Sequence, residues 1–195
     1  MNEIWAIILA AGESKRMNSP KMLLPYKDKT IIEKVIENVT TSAVNNTIVV
    51  LGSSADAIQR RISDLNVMLC YNENYREGML SSVKCGFSNL PGKYEAAFVF
   101  PGDHPGIGPG VINMLIESFR SSAKKIVIPL FGGQRGHPIL IDQCYREEVM
   151  RLKPEEGLRA LSVKFPGDVL EVNVHDPAVL NDIDTIEDYM NQLNK

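Results

Sequence analysis

Small residues, one hydroxyl and two cations stand close together in Leu9-Ala10-Ala11-Gly12-Glu13-Ser14-Lys15-Arg16-Met17, and Lys21 follows four residues later. Ala10-Ala11-Gly12 lets the backbone approach a ligand and turn its amides inward, while Arg16 and Lys21 bring positive charge to the same loop. Backbone amides combined with Arg and Lys are suited to cradling a polyphosphate. The stretch has neither the GxxxxGK[ST] of a Walker loop nor the GxGxxG of a dinucleotide-binding turn. The same residues would also serve as a plain glycine turn with solvated cations.

Carboxylates supply the complementary chemistry. Phe100-Pro101-Gly102-Asp103-His104-Pro105 places Asp103 between glycine and prolines at the end of an apolar run. A carboxylate so held is a good ligand for a hard metal ion, and Asp is equally a common turn or cap residue. Asp182 and Asp184 stand two apart and project to the same side of an extended segment. Asp184 also reads as the cap of the helix that follows. Two further stretches combine turn residues with polar groups. Glu77-Gly78-Met79-Leu80-Ser81-Ser82 opens a helical pattern, and Gly133-Gln134-Arg135-Gly136-His137-Pro138 is a turn cluster ending in a histidine. His175 has no motif around it and reads as a surface residue; the eight Met read as core or helix-face residues.

These residues need a scaffold, and the apolar pattern predicts one. Ile4–Leu9 is an unbroken apolar run, as expected of a central strand covered on both faces. Further strands are expected at Thr47–Leu51, Val67–Tyr71, Ala96–Phe100 and Lys125–Leu130. Helices are expected between them at Lys29–Thr40, Ser54–Leu65, Leu80–Leu90 and Val111–Phe119. After residue 131 the rhythm changes to a hairpin ending in His137–Ile141, then helices at Tyr145–Leu152 and Glu156–Val163, a strand at Val169–Val174, and a helix at Thr185–Leu193 capped by Asp184 or Thr185. The pattern predicts an α/β fold: one domain over residues 1–195, a three-layer sandwich around a Rossmann-like, mainly parallel sheet with a C-terminal hairpin as its antiparallel element. Ligands of such sheets bind beyond the carboxyl ends of the strands, which is where the loops at Ala11 and Asp103 fall.

Composition excludes several classes. The 195 residues carry 21 Lys+Arg and 24 Asp+Glu, a net charge of −3 that argues against a nucleic-acid partner. With 44% hydrophobic and 23% charged residues the chain is neither disordered nor fibrous. Three widely spaced cysteines with no CxxC pair point to reduced, buried thiols rather than a disulfide framework or zinc site. The apolar run Ile4–Ala11 lacks the basic start of a signal peptide, and no stretch approaches the ~20 apolar residues of a membrane span. A cytoplasmic protein without a membrane partner is expected.

The loop Leu-Ala-Ala-Gly-x-Ser-x-Arg-Met with its following Lys resembles the signature of the molybdenum cofactor cytidylyltransferase-like family of nucleotidyltransferases. Lys21–Tyr26 and Ile31–Val35 are similar to the family's continuation, and the matches run in order from residue 4 to residue 189. Asp103 falls in a stretch resembling Gly-Asp-Gln-Pro, with His104 where Gln is usual; Asp182–Tyr189 resembles Asp-x-Asp-Thr-Pro-Glu-Asp, with Ile186 in place of Pro. The resemblance implies a nucleotide-diphospho-sugar transferase-like fold and transfer of CMP from CTP to the phosphate of molybdopterin, releasing pyrophosphate. It implies nucleotide contacts from Leu9, Ala10, Ala11, Gly12, Ser14, Arg16, Lys21, Gly78, Ser82 and Gly102, with Arg16, Lys21 and Asp103 catalytic. Mg²⁺ would be held by Asp103 with Asp182 or Asp184, and the acceptor would meet His104, Gly136 and His137. A molybdenum hydroxylase would receive the product. Related guanylyltransferases carry Gly where this chain has Ala11, whose methyl would crowd a purine; this favours CTP. Two other readings remain open: a sugar- or alditol-phosphate nucleotidylyltransferase, and a non-catalytic molybdopterin delivery protein. The absence of an Asp-Ala-x-Arg-Pro stretch counts against the methylerythritol-phosphate branch of the former.

Overall fold

The computed structural model describes residues 3–17 and 19–193. Strand β1 (Ile4–Ala10) is buried at all seven positions. Its side chains alternate strictly: Ile4, Ala6, Ile8 and Ala10 enter one core, while Trp5, Ile7, Leu9 and the following Ala11 enter the other. This is why an unbroken apolar run, rather than an alternating one, marks the centre of the sheet.

A two-residue ribbon, β2 (Pro25–Tyr26) and β3 (Lys29–Thr30), precedes α1 (Ile31–Thr40), so the helix begins two residues later than the periodicity suggests. Thr30 sets that boundary: the Glu33 carboxylate accepts from the Thr30 backbone N–H at 2.8 Å, as in a capping box. Then come β4 (Asn46–Leu51), α2 (Ala55–Arg61), β5 (Met68–Tyr71), α3 (Met79–Ser88), β6 (Ala96–Pro101) and α4 (Pro109–Arg120). The C-terminal part adds β7 (Ile126–Phe131), β8 (Gln134–Arg135), β9 (Ile139–Asp142), α5 (Arg146–Arg151), α6 (Arg159–Lys164), β10 (Val169–Asn173) and α7 (Ile186–Leu193). Helix α6 starts three residues later than expected because Gly157 sits at φ +61°, outside the helical region. Strand β9 starts at Ile139, after Pro138, which has no N–H for the ladder.

The sheet order is β10-β7-β9-β6-β1-β4-β5, with β8 paired to β7. All ladders on this path are parallel except those of β9, which runs antiparallel between β6 and β7. Helices α1, α2 and α4 cover one face through Val35, Ile58 and Leu115; α3, α5 and α6 cover the other through Phe87, Val149 and Leu161. Helix α3 approaches β1 closely enough that a Cβ on Gly86 would lie 2.2 Å from Ile7 Cγ2. That contact packs the last turns of α3 directly against the centre of β1.

The cysteines depart from expectation in part. Cys70 is buried, but Cys85 is half-buried and Cys144 exposed, all as free thiols. Among the described residues no helix is long and apolar enough to cross a membrane. His175 is exposed.

Candidate active site

Because β1 and β6 are parallel neighbours, the loops after them emerge at the same edge of the sheet. Gly102 N–H donates to Leu9 O at 3.0 Å, and a Cβ at Gly102 would lie 2.7 Å from that oxygen, so only glycine allows the two loops this approach. The C-terminal segment is drawn to the same place. Ile183 N–H donates to Asp103 O at 3.1 Å, and the Ile183 side chain is wholly buried, which leaves Asp182 and Asp184 flanking it on the outward side.

The phosphate-type loop is shaped by Ser14, which sits in the left-handed region at φ +52°. Its Oγ accepts from Lys21 N–H at 3.1 Å, and its carbonyl accepts from Met17 N–H at 2.9 Å, so the chain curls back on itself. Gly12 is exposed, and a Cβ there would meet nothing within 4 Å; protein packing therefore does not account for that glycine. Lys21 is turned inward and buried at 8% exposure. Its three N–H donors go to Asp103 Oδ2 at 2.6 Å, Asp184 Oδ1 at 2.9 Å and Ile183 O at 3.0 Å. Arg16, mostly exposed, reaches the other oxygen of Asp184 at 2.7 Å.

Charge here is tightly balanced. Burial alone would push the Asp103 carboxyl up, but the His104 hydrogen bond and the Lys21 ammonium outweigh it and hold the group well below the usual carboxylate range. Burial likewise would lower Lys21, and the two carboxylates overcome that, raising it above its ordinary value. Asp182 is exposed and is raised by partial burial and by the charges of Asp184 and Asp103. Asp184 does not act as the helix cap. Thr185 takes that place, its Oγ1 accepting from Asp188 N–H at 3.1 Å while the Asp188 carboxylate accepts from Thr185 N–H at 2.8 Å. Asp184 is thereby left for Lys21 and Arg16.

Among the described residues, no group of three or more His, Cys, Asp and Glu is arranged to hold a metal ion by itself. The donor set still fits a hard cation that completes its shell with substrate oxygens. Asp103 and Asp184 already share one cation, the Lys21 ammonium, and Mg²⁺ is commonly held by one or two carboxylates plus substrate phosphates.

Two clefts open on this edge. A polar one of about 320 Å³ is lined by Gly12, Ser14, Arg16, Lys21 and Asp184. A larger one of about 750 Å³ lies between the sheet and α3, walled by Val83, Val99, Ile128, Ile139 and Leu161 and rimmed by Arg135, His137 and Arg159. Leu9 and Pro101 form its inner end, next to the loops just described.

Other expected site residues have roles set by packing. A Cβ on Gly136 would lie 2.4 Å from Val179 O, and His137 N–H donates to that same oxygen at 2.9 Å. Gly136→Ala is therefore expected to cost about 2–3 kcal/mol in denaturant unfolding, because backbone must move. An unchanged midpoint would show that the 179–183 segment yields freely. His137 is half-buried, lines the larger cleft, and leaves its buried Nδ1 without a partner. Burial, reinforced by His104 and opposed by Asp103, lowers it from 6.5 to about 4. The unfolded chain thus binds this proton before the folded chain does, and stability present above pH 6.5 is lost as pH falls toward 4. Acid should therefore lower Tm more steeply in wild type than in His137→Phe, by a difference of at most roughly 3 kcal/mol; parallel pH profiles would refute this.

His104, expected at the acceptor, is 5% exposed and turned to Asp103, its Nδ1 donating to Oδ1 at 2.9 Å. Ser82, expected at the nucleotide, is also 5% exposed, and its Oγ accepts from Asn72 Nδ2 at 3.0 Å. Gly78 precedes α3 as its N-cap at φ +102°, a conformation that favours glycine. Ala11 is 3% exposed, and its methyl faces Gly52, where an added Cβ would lie 2.7 Å away. Gly52, Asn72 and Arg76 were not singled out in the sequence. Arg76 stacks 5.3 Å over Tyr75 and comes 3.6 Å from Glu13, adding a further cation beside the phosphate-type loop. Gly52 alone left a signal, as the glycine just after β4, at the same edge as Gly12 and Gly102.

Residues 6–167 match the family model described as the MobA-like NTP transferase domain. Over 192 residues the chain is 30% identical to the molybdenum cofactor cytidylyltransferase of Escherichia coli (strain K12), covering 97% of this chain and 95% of that one. It is 28% identical over 191 residues to the nicotine blue oxidoreductase of Paenarthrobacter nicotinovorans, covering 94% and 93%. The crystal structure of Rv0371c from Mycobacterium tuberculosis H37Rv in complex with manganese superposes with a TM-score of 0.85 at 25% identity, covering 100% of this chain and 99% of that one. The common architecture is the nucleotide-diphospho-sugar transferase fold.

Proposed function

The chain belongs to the MobA-like NTP transferase domain family and is a nucleotidyltransferase, and from that premise we propose that it moves CMP from CTP to the terminal phosphate of molybdopterin, releasing pyrophosphate. The observation that carries this reading is the convergence of Lys21, Asp103 and Asp184 on one point beside Arg16, at the polar cleft.

Such chemistry is mostly positioning and charge neutralisation. Arg16 and the amides of residues 11–14 bind the β- and γ-phosphates and take up the charge of departing pyrophosphate. Lys21, drawn from its carboxylates, offsets charge at the α-phosphate and on the incoming nucleophile. Mg²⁺, held by Asp103 with Asp182 or Asp184, would supply further neutralisation of the triphosphate. The manganese complex of the Mycobacterium tuberculosis relative supports a divalent cation on this fold. The acceptor phosphate is already ionised at neutral pH, so no general base is required.

The acceptor enters the larger cleft. Its aliphatic walls suit a flat ring system better than a sugar, which needs polar partners along its length. This favours molybdopterin over a sugar phosphate. Support for CTP comes from Ala11 and from the cytidylyltransferase named among the relatives. In the structure the Ala11 methyl is buried against Gly52, so it does not itself crowd a base, and the relative's name carries most of that support.

Pyrophosphate release from CTP, GTP and ATP with Mg²⁺ and molybdopterin tests the reading. Release with GTP but not CTP would overturn the base alone. No release with any nucleotide, alongside tight molybdopterin binding, would leave a delivery protein instead. Arg16→Ala should raise the KM for nucleotide by about 10- to 100-fold, the worth of a charge-assisted contact. Its Tm should stay within a degree or two, because the Arg16–Asp184 pair is largely solvated; an unchanged KM would remove Arg16 from the phosphate site.

A further inference from the structure

The Asp103 carboxylate is gripped at both oxygens, by the Lys21 ammonium on Oδ2 at 2.6 Å and by the His104 imidazole on Oδ1 at 2.9 Å. The two grips differ in kind. Lys21 is a flexible chain with other partners, and nucleotide phosphates compete for it. His104 cannot swing away. It is 5% exposed, its ring meets the His137 ring edge-on at 5.3 Å, and its carbonyl accepts from Ile107 N–H at 3.3 Å. The next residue is pinned as well, since Pro105 O accepts from Asn38 Nδ2 at 2.9 Å. An ionised carboxylate only accepts hydrogen bonds, so Nδ1 carries the proton in this pair.

We propose that His104 is a positioning residue that holds Asp103 by Oδ1, so that Oδ2 stays turned to the place the Lys21 ammonium occupies beside the polar cleft, ready for a divalent cation once Lys21 has turned to the nucleotide. This rests on the nucleotidyltransferase reading. The torsion about the Asp Cβ–Cγ bond is broad and has no sharp preferred value. Without His104, loss of the Lys21 contact leaves the carboxylate free to rotate, and cation binding must then order it. His104 does that ordering in advance, through a ring held against the wall of the acceptor cleft. The residue thus links the two clefts, although it contacts the cation in neither case.

Mn²⁺ titration followed by electron paramagnetic resonance, with CTP present and no turnover needed, tests the assignment. Hydrogen-bonded partners of metal ligands are commonly worth 10- to 100-fold in metal affinity. His104→Leu is expected to weaken Mn²⁺ binding by about 10-fold or more, while His104→Asn, whose amide can donate from nearly the position of Nδ1, returns it to within about 3-fold of wild type. Asp103→Asn serves as the reference for loss of the ligand itself. Should His104→Leu fail to fold, His104→Met lacks the donor equally and packs more easily. Wild-type affinity in the donorless variant, with Asp103→Asn impaired, would overturn the role of His104 and leave the site standing. Equal weakening in His104→Asn would also overturn it, because a packing role is not rescued by an amide. No Mn²⁺ binding by wild type would overturn both this role and the cation site.

Discussion

Asp103→Asn is expected to cut pyrophosphate release by roughly a thousandfold or more, with the fold retained. The side chain keeps its size, and an amide oxygen can still accept from His104, so the loop after β6 has no steric reason to move. What disappears is one of the two negative charges that share a cation beside the triphosphate loop. Electrostatic stabilisation by a bound cation is worth several kcal/mol in such transition states, and each 1.36 kcal/mol is tenfold in rate. Some stability should go with the charge, because Lys21 and His104 hold Asp103 ionised, but Lys21 keeps Asp184 and Ile183 O as partners and the fold survives. Steady-state turnover together with thermal melting checks both halves. Undiminished turnover would remove Asp103 from the reaction, and loss of melting cooperativity would make the residue structural instead.

Lys21→Met should have the second large effect, and here stability and activity fall together. The ammonium is buried between two carboxylates, with a third, Asp182, raised by the same charges. Removing one partner of a buried ionic network leaves uncompensated charge, at a cost of about 3–5 kcal/mol. For a chain of this size that lowers Tm by roughly 10 °C. The diagnostic sign lies in how divalent cations act. Mn²⁺ should raise the Tm of Lys21→Met more than that of wild type, because the ion replaces the missing ammonium between Asp103 and Asp184. Acid should act in the same direction. In wild type, Asp103 is held low, so its contribution is present above its ordinary value of 3.8 and lost as pH falls through the folded-state value. In the variant the carboxylates lose that support, so protonation relieves them. Equal shifts with Mn²⁺ in both proteins would show that the cation does not bind where Lys21 sits.

Parts of the site were legible in the sequence because they are local. Leu9–Met17 carries its own turn, its small residues and its cations within one loop, and the buried run before it marks a central strand. Gly102-Asp103 follows the next such strand. Sheet topology alone then puts both loops at one edge. Helix boundaries were legible where a side chain sets them, as the Thr30–Glu33 pair does. They were missed where a backbone conformation does, as at Gly157.

Other parts had no local signature. His104 stood out only by its motif, and its ring meets that of His137, from the loop between β8 and β9. Gly136 read as one of several turn glycines, but its constraint is the carbonyl of Val179. Arg76 is a single cation in a polar loop, and only its stacking on Tyr75 brings it to Glu13. The choice between Asp182 and Asp184 was symmetric in the sequence. In the structure Thr185 takes the cap, Asp184 pairs with Lys21 and Asp182 stays exposed.

By itself, then, the sequence determined the α/β class, the order of elements, and a loop with the composition to hold phosphates. Those follow from short-range physics, namely apolar periodicity and the conformational preferences of glycine, proline and capping residues. Only the tertiary structure decided which charges meet. Lys21 reaches Asp103 across 82 residues and Asp184 across 163, and no window of the chain contains such a pair. A buried ammonium is tolerated only where carboxylates surround it, and a carboxylate is aimed only where its neighbours cannot move. Both conditions are properties of packing, settled when the loops after β1 and β6 and the segment before α7 close on one another.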